Sequence, residues 1–323
     1  MGFMEKKKVS VIIVNTNTKD VMKLCLENLN GSYDNLEVIV ADNASSDGSA
    51  EMVEKEFPWV KLVRLPNYGL AFALNKCLEV ATGDYYLYLG TDGFPDKGTI
   101  EGLVNYFEDS SHQDAGAAAV KLMLRDGRQD MDGHRGFPTP FTSLTHFMGL
   151  DKLFPKSKLF ARYFMTYEDL DTEHEIDTCI THFLFVSKKA TDKVGKWDEE
   201  TFFLYGEDID YCYRIKEAGF KLMYLPQFRA EHWKGVTIGI RKESQDVAMK
   251  VPIIKFRDTE LTLGEFRVEL QRLSTYAMEA FYKKHYLKKY PKFLGWIIIG
   301  SVRALKFYRV HKQRRVNRNK GIK

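Results

Sequence analysis

Several features are scarce in this chain, and each scarcity narrows what it can be. Its four cysteines (Cys25, Cys77, Cys179 and Cys212) lie far apart, with no CxxC and no Cys/His cluster. That argues against a zinc ribbon or a disulfide scaffold and fits a reducing compartment. Prolines number only 9 in 323 residues, so the bias of a disordered chain is missing. There is no G-x-x-x-x-G-K-[ST], and the turn after the first apolar run reads Asn15-Thr16-Asn17-Thr18 instead of G-x-G-x-x-G. A P-loop enzyme and a dinucleotide dehydrogenase are thereby disfavoured. The N-terminal apolar run is short and lacks a small-residue cleavage site, so it reads as a first strand and not as a signal peptide. Phe293–Gly300 (FLGWIIIG) is too short for a bilayer span, which needs roughly 20 apolar residues.

What is present is material for a large core: 44% of residues are apolar and 13% aromatic. The net charge of +4 hides an asymmetry. From Phe281 to Lys323 there are 14 Lys/Arg and no Asp/Glu, which leaves the first 280 residues at −10. An acidic body with a basic tail predicts a local anionic partner, not nucleic acid bound along the whole surface.

The first half alternates β-rich runs with helical patterns. Strands are predicted at Val9–Asn15, Leu36–Asp42, Val60–Arg64 and Tyr85–Gly90. Helices are predicted at Lys19–Leu29, from Ser46, Asp47 or Ser49 to about Phe57, and at Leu70–Ala81. This βαβαβαβ order predicts an α/β fold with a mostly parallel sheet and helices on both faces, its ligands beyond the strands' carboxyl ends. The second half is less regular. Ala115–Leu124 and Thr178–Ser187 read as strands, Tyr205–Ala218 as a helix stopped by Gly219, Lys221–Leu225 and Phe228–Trp233 as extended, and 241–280 as mixed and partly helical.

Polar residues gather where these strands end: Asn15, Asp42, Asn67 and Asp92. Four such groups on neighbouring strands build one cleft, although Asn and Asp also form turns without any further role. With no phosphate-cradling glycines, a bound phosphate calls for a metal, and Asp92 in LGTDG is the obvious hard oxygen ligand for Mg²⁺ or Mn²⁺. A second acidic cluster is Glu207-Asp208-Ile209-Asp210. Asp210 and Arg214, four apart on a helix, read as a structural ion pair. Glu207 and Asp208 suit a helix start electrostatically, and the aromatic Trp197–Tyr205 stretch before them could wall a sugar or base pocket. His232 follows an extended segment, where a packed histidine and a ligand are both open readings.

These blocks (VSVIIVNTNT, VIVADNASSDGS, NYGLAFALN, ATGDYYLYLGTD and WDEETFFLYGEDIDYCYRIKEAGFKLMYLPQFRAEHWKG), in order from Val9 to Gly235, resemble family 2 glycosyltransferases, most of all a rhamnosyltransferase-like branch that builds bacterial surface polysaccharides. The resemblance implies a GT-A nucleotide-diphospho-sugar transferase fold and inverting transfer of a sugar, rhamnose among the candidates, to a glycan or lipid-linked acceptor. It implies donor contacts from Asn15, Asn17, Asp42 (reading a pyrimidine edge), Asn67, Gly69, Asn75, Thr91 and Asp92. Asp92 matches the last acid of a DxD metal motif and His232 a further metal contact. Asp208 matches the general base, with Glu207 beside it. Two positions depart from the pattern: Gly90 stands where the first DxD acid belongs, and Thr181-His182 replaces a small Gly-Ala pair before Phe183.

On this reading residues 1–124 form the nucleotide-sugar-binding half, 125–240 the acceptor and catalytic half, and 241–323 C-terminal helices with a basic amphipathic tail. Leu294, Ile297, Ile298, Val302, Leu305 and Tyr308 fall near one helical face, with tyrosines and Trp296 interleaved among lysines. Such a tail suits an anionic membrane surface, placing the protein in the cytoplasm, peripheral on the inner face of the cell membrane. Two rivals stand beside the enzyme: a GT-A domain that binds nucleotide sugar without transferring it, and a nucleic-acid-binding protein that uses the tail.

Overall fold

The first strand shows how the sheet is built. In the computed structural model, which describes residues 6–235 and 253–322, β1 (Val9–Asn15) sends Val9, Val11 and Ile13 into one core and Ile12 into another. A strand apolar on both faces needs cover on both. The chain continues with α1 (Lys19–Leu29), β2 (Leu36–Asn43), α2 (Ser49–Glu56), β3 (Lys61–Leu65), α3 (Leu70–Leu78) and β4 (Tyr85–Leu89). Met22, Cys25 and Leu26 of α1 and Met52 and Val53 of α2 fill the first core, while Ala71, Leu74 and Cys77 of α3 fill the second. These four strands pair in parallel in the order β3-β2-β1-β4.

After β4 the strict alternation stops. There follow β5 (Gly93–Pro95), α4 (Thr99–Glu108), β6 (Ala115–Leu124), α5 (Pro140–Phe147), α6 (Leu150–Leu153), β7 (His174–Ile176), β8 (Phe183–Ser187), α7 (Lys188–Val194), α8 (Glu207–Glu217) and β9 (Lys221–His232). The full sheet runs β3-β2-β1-β4-β8-β6-β9-β5, with β7 on β9. β8 lies antiparallel to both β4 and β6, so the sheet is mixed, though mostly parallel.

Several boundaries differ from the sequence expectation, for local reasons. α8 starts at Glu207, not Tyr205, because Tyr205 and Gly206 both adopt positive φ (71° and 85°), which a right-handed helix excludes. Neither Ser46 nor Asp47 caps α2; Gly48 does so in the left-handed region, and Asp47 accepts from the Ser49 amide at 3.0 Å. The two extended runs after Gly219 are one strand, β9, broken in register at Pro226, a residue without an amide to donate.

Within the stretch expected to be mixed and partly helical lies a hairpin, β10 (Ile253–Phe256) and β11 (Thr259–Thr262). The predicted segment 241–252 lies outside the described residues. A capping box between Thr262 and Glu265 opens α9 (Leu263–His285). The last helix, α10 (Lys292–Asn319), lies back along α9, held by Arg303 on Glu279 (2.9 Å) and by Asn317 Nδ2 on the Gly264 carbonyl (2.8 Å). Leu294, Ile298, Val302 and Leu305 are half-buried, and Ile298 packs with Ile299 on the cluster around Phe281. The face left open is a different one: Phe293, Trp296, Ile297, Phe307 and Tyr308. Among the described residues, no helix is long and apolar enough to cross a membrane.

Candidate active site

The carboxyl ends of β1 to β4 meet as the topology requires. Asn15 pairs in register with Asp42, and its amide donates to Asp42 Oδ1 (3.0 Å) and Ser45 Oγ (2.9 Å). The Thr18 hydroxyl donates to Asn15 Oδ1 (2.6 Å) and accepts from the Thr91 hydroxyl (3.0 Å), tying β1 to the end of β4. Asn17, at φ 55°, accepts the Ser46 amide at 2.7 Å, which fixes the loop after β2. Asn43 donates to Asn67 Oδ1 (2.9 Å), and Asn67 donates to the Lys255 carbonyl (2.8 Å), so the C-terminal hairpin closes one wall of the cleft. Thr16, Asn43, Asn67, Gly69, Gly90, Thr91, Asp92 and His182 line that cleft, facing Phe203, Ile254 and Phe256.

Two of the predicted donor residues act on the walls. Gly69 sits at φ 106°, and a Cβ there would lie 2.4 Å from the Phe203 carbonyl, so only glycine lets α3 start against that wall. Asn75 clamps the segment before α8: it accepts from the Trp197 amide (2.9 Å) and donates to the Trp197 carbonyl (3.0 Å) and to Glu199 (2.6 Å). Of the aromatic stretch, Phe203 faces the cleft, whereas Trp197 is buried and stacks on Tyr211.

Asp92, His182 and His232 each present a ligand atom within 4.8 Å of the others. His232 Nδ1 bonds to the buried Asp130 carboxylate at 2.7 Å, an acceptor, so Nδ1 carries the proton and Nε2 a lone pair. That Nε2 is buried, has no hydrogen-bond partner and stands 3.6 Å from Asp92 Oδ2. His182 Nε2 stands 3.6 Å from Asp92 Oδ1. Both separations exceed hydrogen-bond reach and match the spacing of neighbouring ligands on one ion with bonds of about 2.1 Å. One carboxylate and two imidazoles therefore fit a divalent cation. Burial would raise the Asp130 pKa, but its bonds to His232 and Lys234 outweigh burial and hold it below the usual carboxylate range. Desolvation in the cleft lowers the His182 pKa against the pull of Asp92, which favours the neutral, ligating form.

Asp208 opens α8 with Arg135 at 3.5 Å, both largely buried. Burial raises the Asp208 pKa while the guanidinium opposes the rise. Glu207 is buried with Oε2 unpartnered; burial and the neighbouring Asp208 charge push its pKa up to about 8. Of the two, Asp208 is the one that faces a cation. Asp210 is structural, as its spacing predicted: Arg214 (2.9 Å), Lys284 (2.7 Å) and His285 (2.7 Å) hold it, and despite burial its pKa falls to about 2.

Arg135, Asp130 and His182 were not singled out as site residues from sequence. Arg135 and Asp130 lie in the Gly- and Pro-rich stretch after β6, where no periodicity points inward. His182 did carry a signal, as the residue that breaks the small-pair pattern opposite the missing acid at Gly90.

The model of glycosyl transferase family 2 matches residues 10–195. The rhamnosyltransferase WbbL of Escherichia coli is 27% identical over 238 residues, covering 70% of this chain and 83% of its own. The N-acetylglucosaminyl-diphospho-decaprenol L-rhamnosyltransferase of Mycobacterium tuberculosis is 25% identical over 216 residues, 62% of this chain and 68% of its own. Among solved structures, a mannosyltransferase from Pyrobaculum calidifontis in complex with GDP-Man and Mn²⁺ matches with a TM-score of 0.52 at 15% identity, covering 98% of this chain and 76% of that one. GalNAc-T7 with UDP, GalNAc and Mn²⁺ matches with a TM-score of 0.51 at 14% identity, covering 87% and 57%. The fold is therefore GT-A, and the chain belongs to glycosyl transferase family 2 as a rhamnosyltransferase-like glycosyltransferase.

Proposed function

We propose that this glycosyltransferase moves a sugar, rhamnose by its relatives' names, from a pyrimidine nucleoside diphosphate to a lipid-linked glycan acceptor, with inversion at the anomeric carbon. The observation that carries the reading is the pairing of an Asp/His/His cluster at the end of β4 with a buried carboxylate, Asp208, set against Arg135. Asn15, Asn17, Asp42, Asn67 and Thr91 shape the nucleotide end of the cleft, with Gly69 and Asn75 holding its walls. Asp92, His232 and His182 would hold the cation, which supplies positive charge against the diphosphate as it leaves.

Asp208 takes the proton of the acceptor hydroxyl. The hydroxyl oxygen bonds to the anomeric carbon from the face opposite the diphosphate. The bond from that carbon to the diphosphate oxygen breaks, and its electron pair leaves with the nucleoside diphosphate. Arg135 opposes the burial that raises the Asp208 pKa, and Glu207, its own pKa pushed up to about 8, adds little charge beside it.

A membrane-side acceptor is supported by two surfaces. The open face of α10 sets Trp296, Phe307 and Tyr308 among arginines and lysines. Around α5 and α6, Phe141, Leu144, Phe147, Met148, Leu153 and Phe154 are exposed beside Lys152, Lys156 and Lys158, and Asp151, the acid there, is buried against His146 at 2.6 Å. Apolar side chains beside exposed lysines suit an anionic bilayer.

The test is direct: incubate the purified protein with labelled pyrimidine-nucleotide sugars, a sugar-diphospho-polyprenol and Mn²⁺, and follow transfer to lipid. Stable donor binding without transfer or donor hydrolysis would leave the binding-domain reading standing instead.

A further inference from the structure

Past the last register pair of β4 and β8, Leu89 with Phe183, the next two residues are Gly90 and His182, and the Gly90 amide donates to the His182 carbonyl at 3.2 Å. The His182 ring lies over Gly90. A Cβ built at position 90 would stand 2.6 Å from His182 Cδ2 and 2.7 Å from Asp92 Oδ1, separations that real Cβ atoms do not show. The backbone of Gly90 does not demand glycine, since its φ lies outside the positive range. What demands it is the imidazole on one side and the Asp92 carboxylate on the other. A side chain at 90 and the ring at 182 compete for one volume beside Asp92.

We propose that His182 is the third protein ligand of the cation, standing in from the neighbouring strand for the acid that position 90 lacks, and that it sets the metal preference of the site. The inference rests on the metal reading above. Two observations point the same way. His232 is 2% exposed, with its Nε2 unpartnered and 3.6 Å from Asp92 Oδ2, and the His182 ring approaches the His232 ring to 4.5 Å between centroids while its own Nε2 stands 3.6 Å from the other oxygen, Asp92 Oδ1. Exchanging a carboxylate oxygen for an imidazole nitrogen changes the chemistry. Mg²⁺ prefers oxygen ligands in strict octahedral geometry, while Mn²⁺, Co²⁺ and Zn²⁺ accept imidazole increasingly well. One carboxylate and two imidazoles also leave the site one negative charge poorer than a two-acid site. The cation would therefore keep more positive charge for the donor diphosphate.

The experiment measures binding of Mn²⁺ and Mg²⁺ alone by titration calorimetry to the full-length protein, its His182→Ala and Gly90→Asp variants, and the Gly90→Asp/His182→Ala double variant, each checked for an unchanged melting temperature. The wild type should bind Mn²⁺ at least ~10²-fold more tightly than Mg²⁺. His182→Ala should lose Mn²⁺ affinity at least ~10-fold. Gly90→Asp alone should be impaired by the clash, and the double variant should regain binding with the preference shifted toward Mg²⁺. Independently of any variant, substoichiometric Mn²⁺ should broaden the imidazole proton resonances of both His182 and His232 in the wild type. Wild-type Mn²⁺ affinity in His182→Ala, or broadening of His232 without His182, overturns this inference and leaves a site of Asp92 and His232. If the wild type binds neither metal, the metal reading itself fails and takes this inference with it.

Discussion

Asp130 accepts a hydrogen bond from His232 Nδ1 at 2.7 Å, and this contact turns the opposite ring nitrogen onto Asp92. The short turn after β6 is thereby joined to the Asp92–His182–His232 end of the cleft. The same turn carries Asp132, which shares Lys234 with Asp130, and Arg135, which faces Asp208. The two halves of the proposed reaction are positioned by one irregular segment.

Removing that carboxylate should loosen the histidine without touching a ligand. Asp130→Ala is expected to weaken Mn²⁺ binding ~10–100-fold, as loss of such outer partners does elsewhere. Calorimetry checks the affinity, and ¹⁵N shifts of His232 should show the Nδ1–H tautomer lost.

Asp208→Asn should fold and bind donor nucleotide as the wild type does, yet transfer sugar at least ~10²-fold more slowly, because the amide cannot accept the acceptor's proton. Steady-state kinetics beside a nucleotide-binding titration separate the two effects. Turnover retained in this variant would move the base role to Glu207.

Arg135 opposes the rise that burial imposes on the Asp208 pKa. In Arg135→Gln that opposition is gone, so Asp208 should take up its proton at higher pH. The acidic limb of kcat/KM against pH is expected to shift upward in the variant. A limb that stays in place would show that another group governs it.

Glu207 gives a stability signature. Its folded pKa is pushed up to about 8, above its ordinary value of 4.5. The folded state therefore holds a proton that the unfolded chain releases first, and stability should fall as pH rises from about 4.5 to about 8. Glu207→Gln removes this dependence. Relative to wild type, its melting temperature should gain as the pH is raised from 5 to 8.

The outer face of α10 can be tested without disturbing its packing. Trp296 and Phe307 are 75% and 77% exposed. Converting both to Glu should leave the melting temperature within about 2 °C and sharply reduce co-sedimentation with anionic vesicles. Deleting the helix is the poorer test, because Ile298, Arg303 and Asn317 bind it to α9 and its neighbours.

The parallel half of the sheet and the place of the cleft are legible in the order of residues alone. β-branched runs buried on both faces, alternating with amphipathic helices, admit few other arrangements, and polar residues at strand ends then converge by topology, as Asn15 does on Asp42. The i, i+4 spacing of Asp210 and Arg214 was legible for the same reason, since both ends of the contact lie on one regular element. Helix α10 was legible as amphipathic, but which stripe faces out was not: Ile298 and Ile299 pack on the cluster that α9 helps to build, a partner that the pattern of α10 alone does not name. Only the tertiary structure decided the contacts made by irregular segments. Arg135 reaches Asp208, Asp130 reaches His232, and His182 fills the space above Gly90 because a β-strand brought in antiparallel sets its first residues beside the end of β4. Local propensity carries no information about such pairings. They are fixed by which distant backbones the packed sheet makes neighbours.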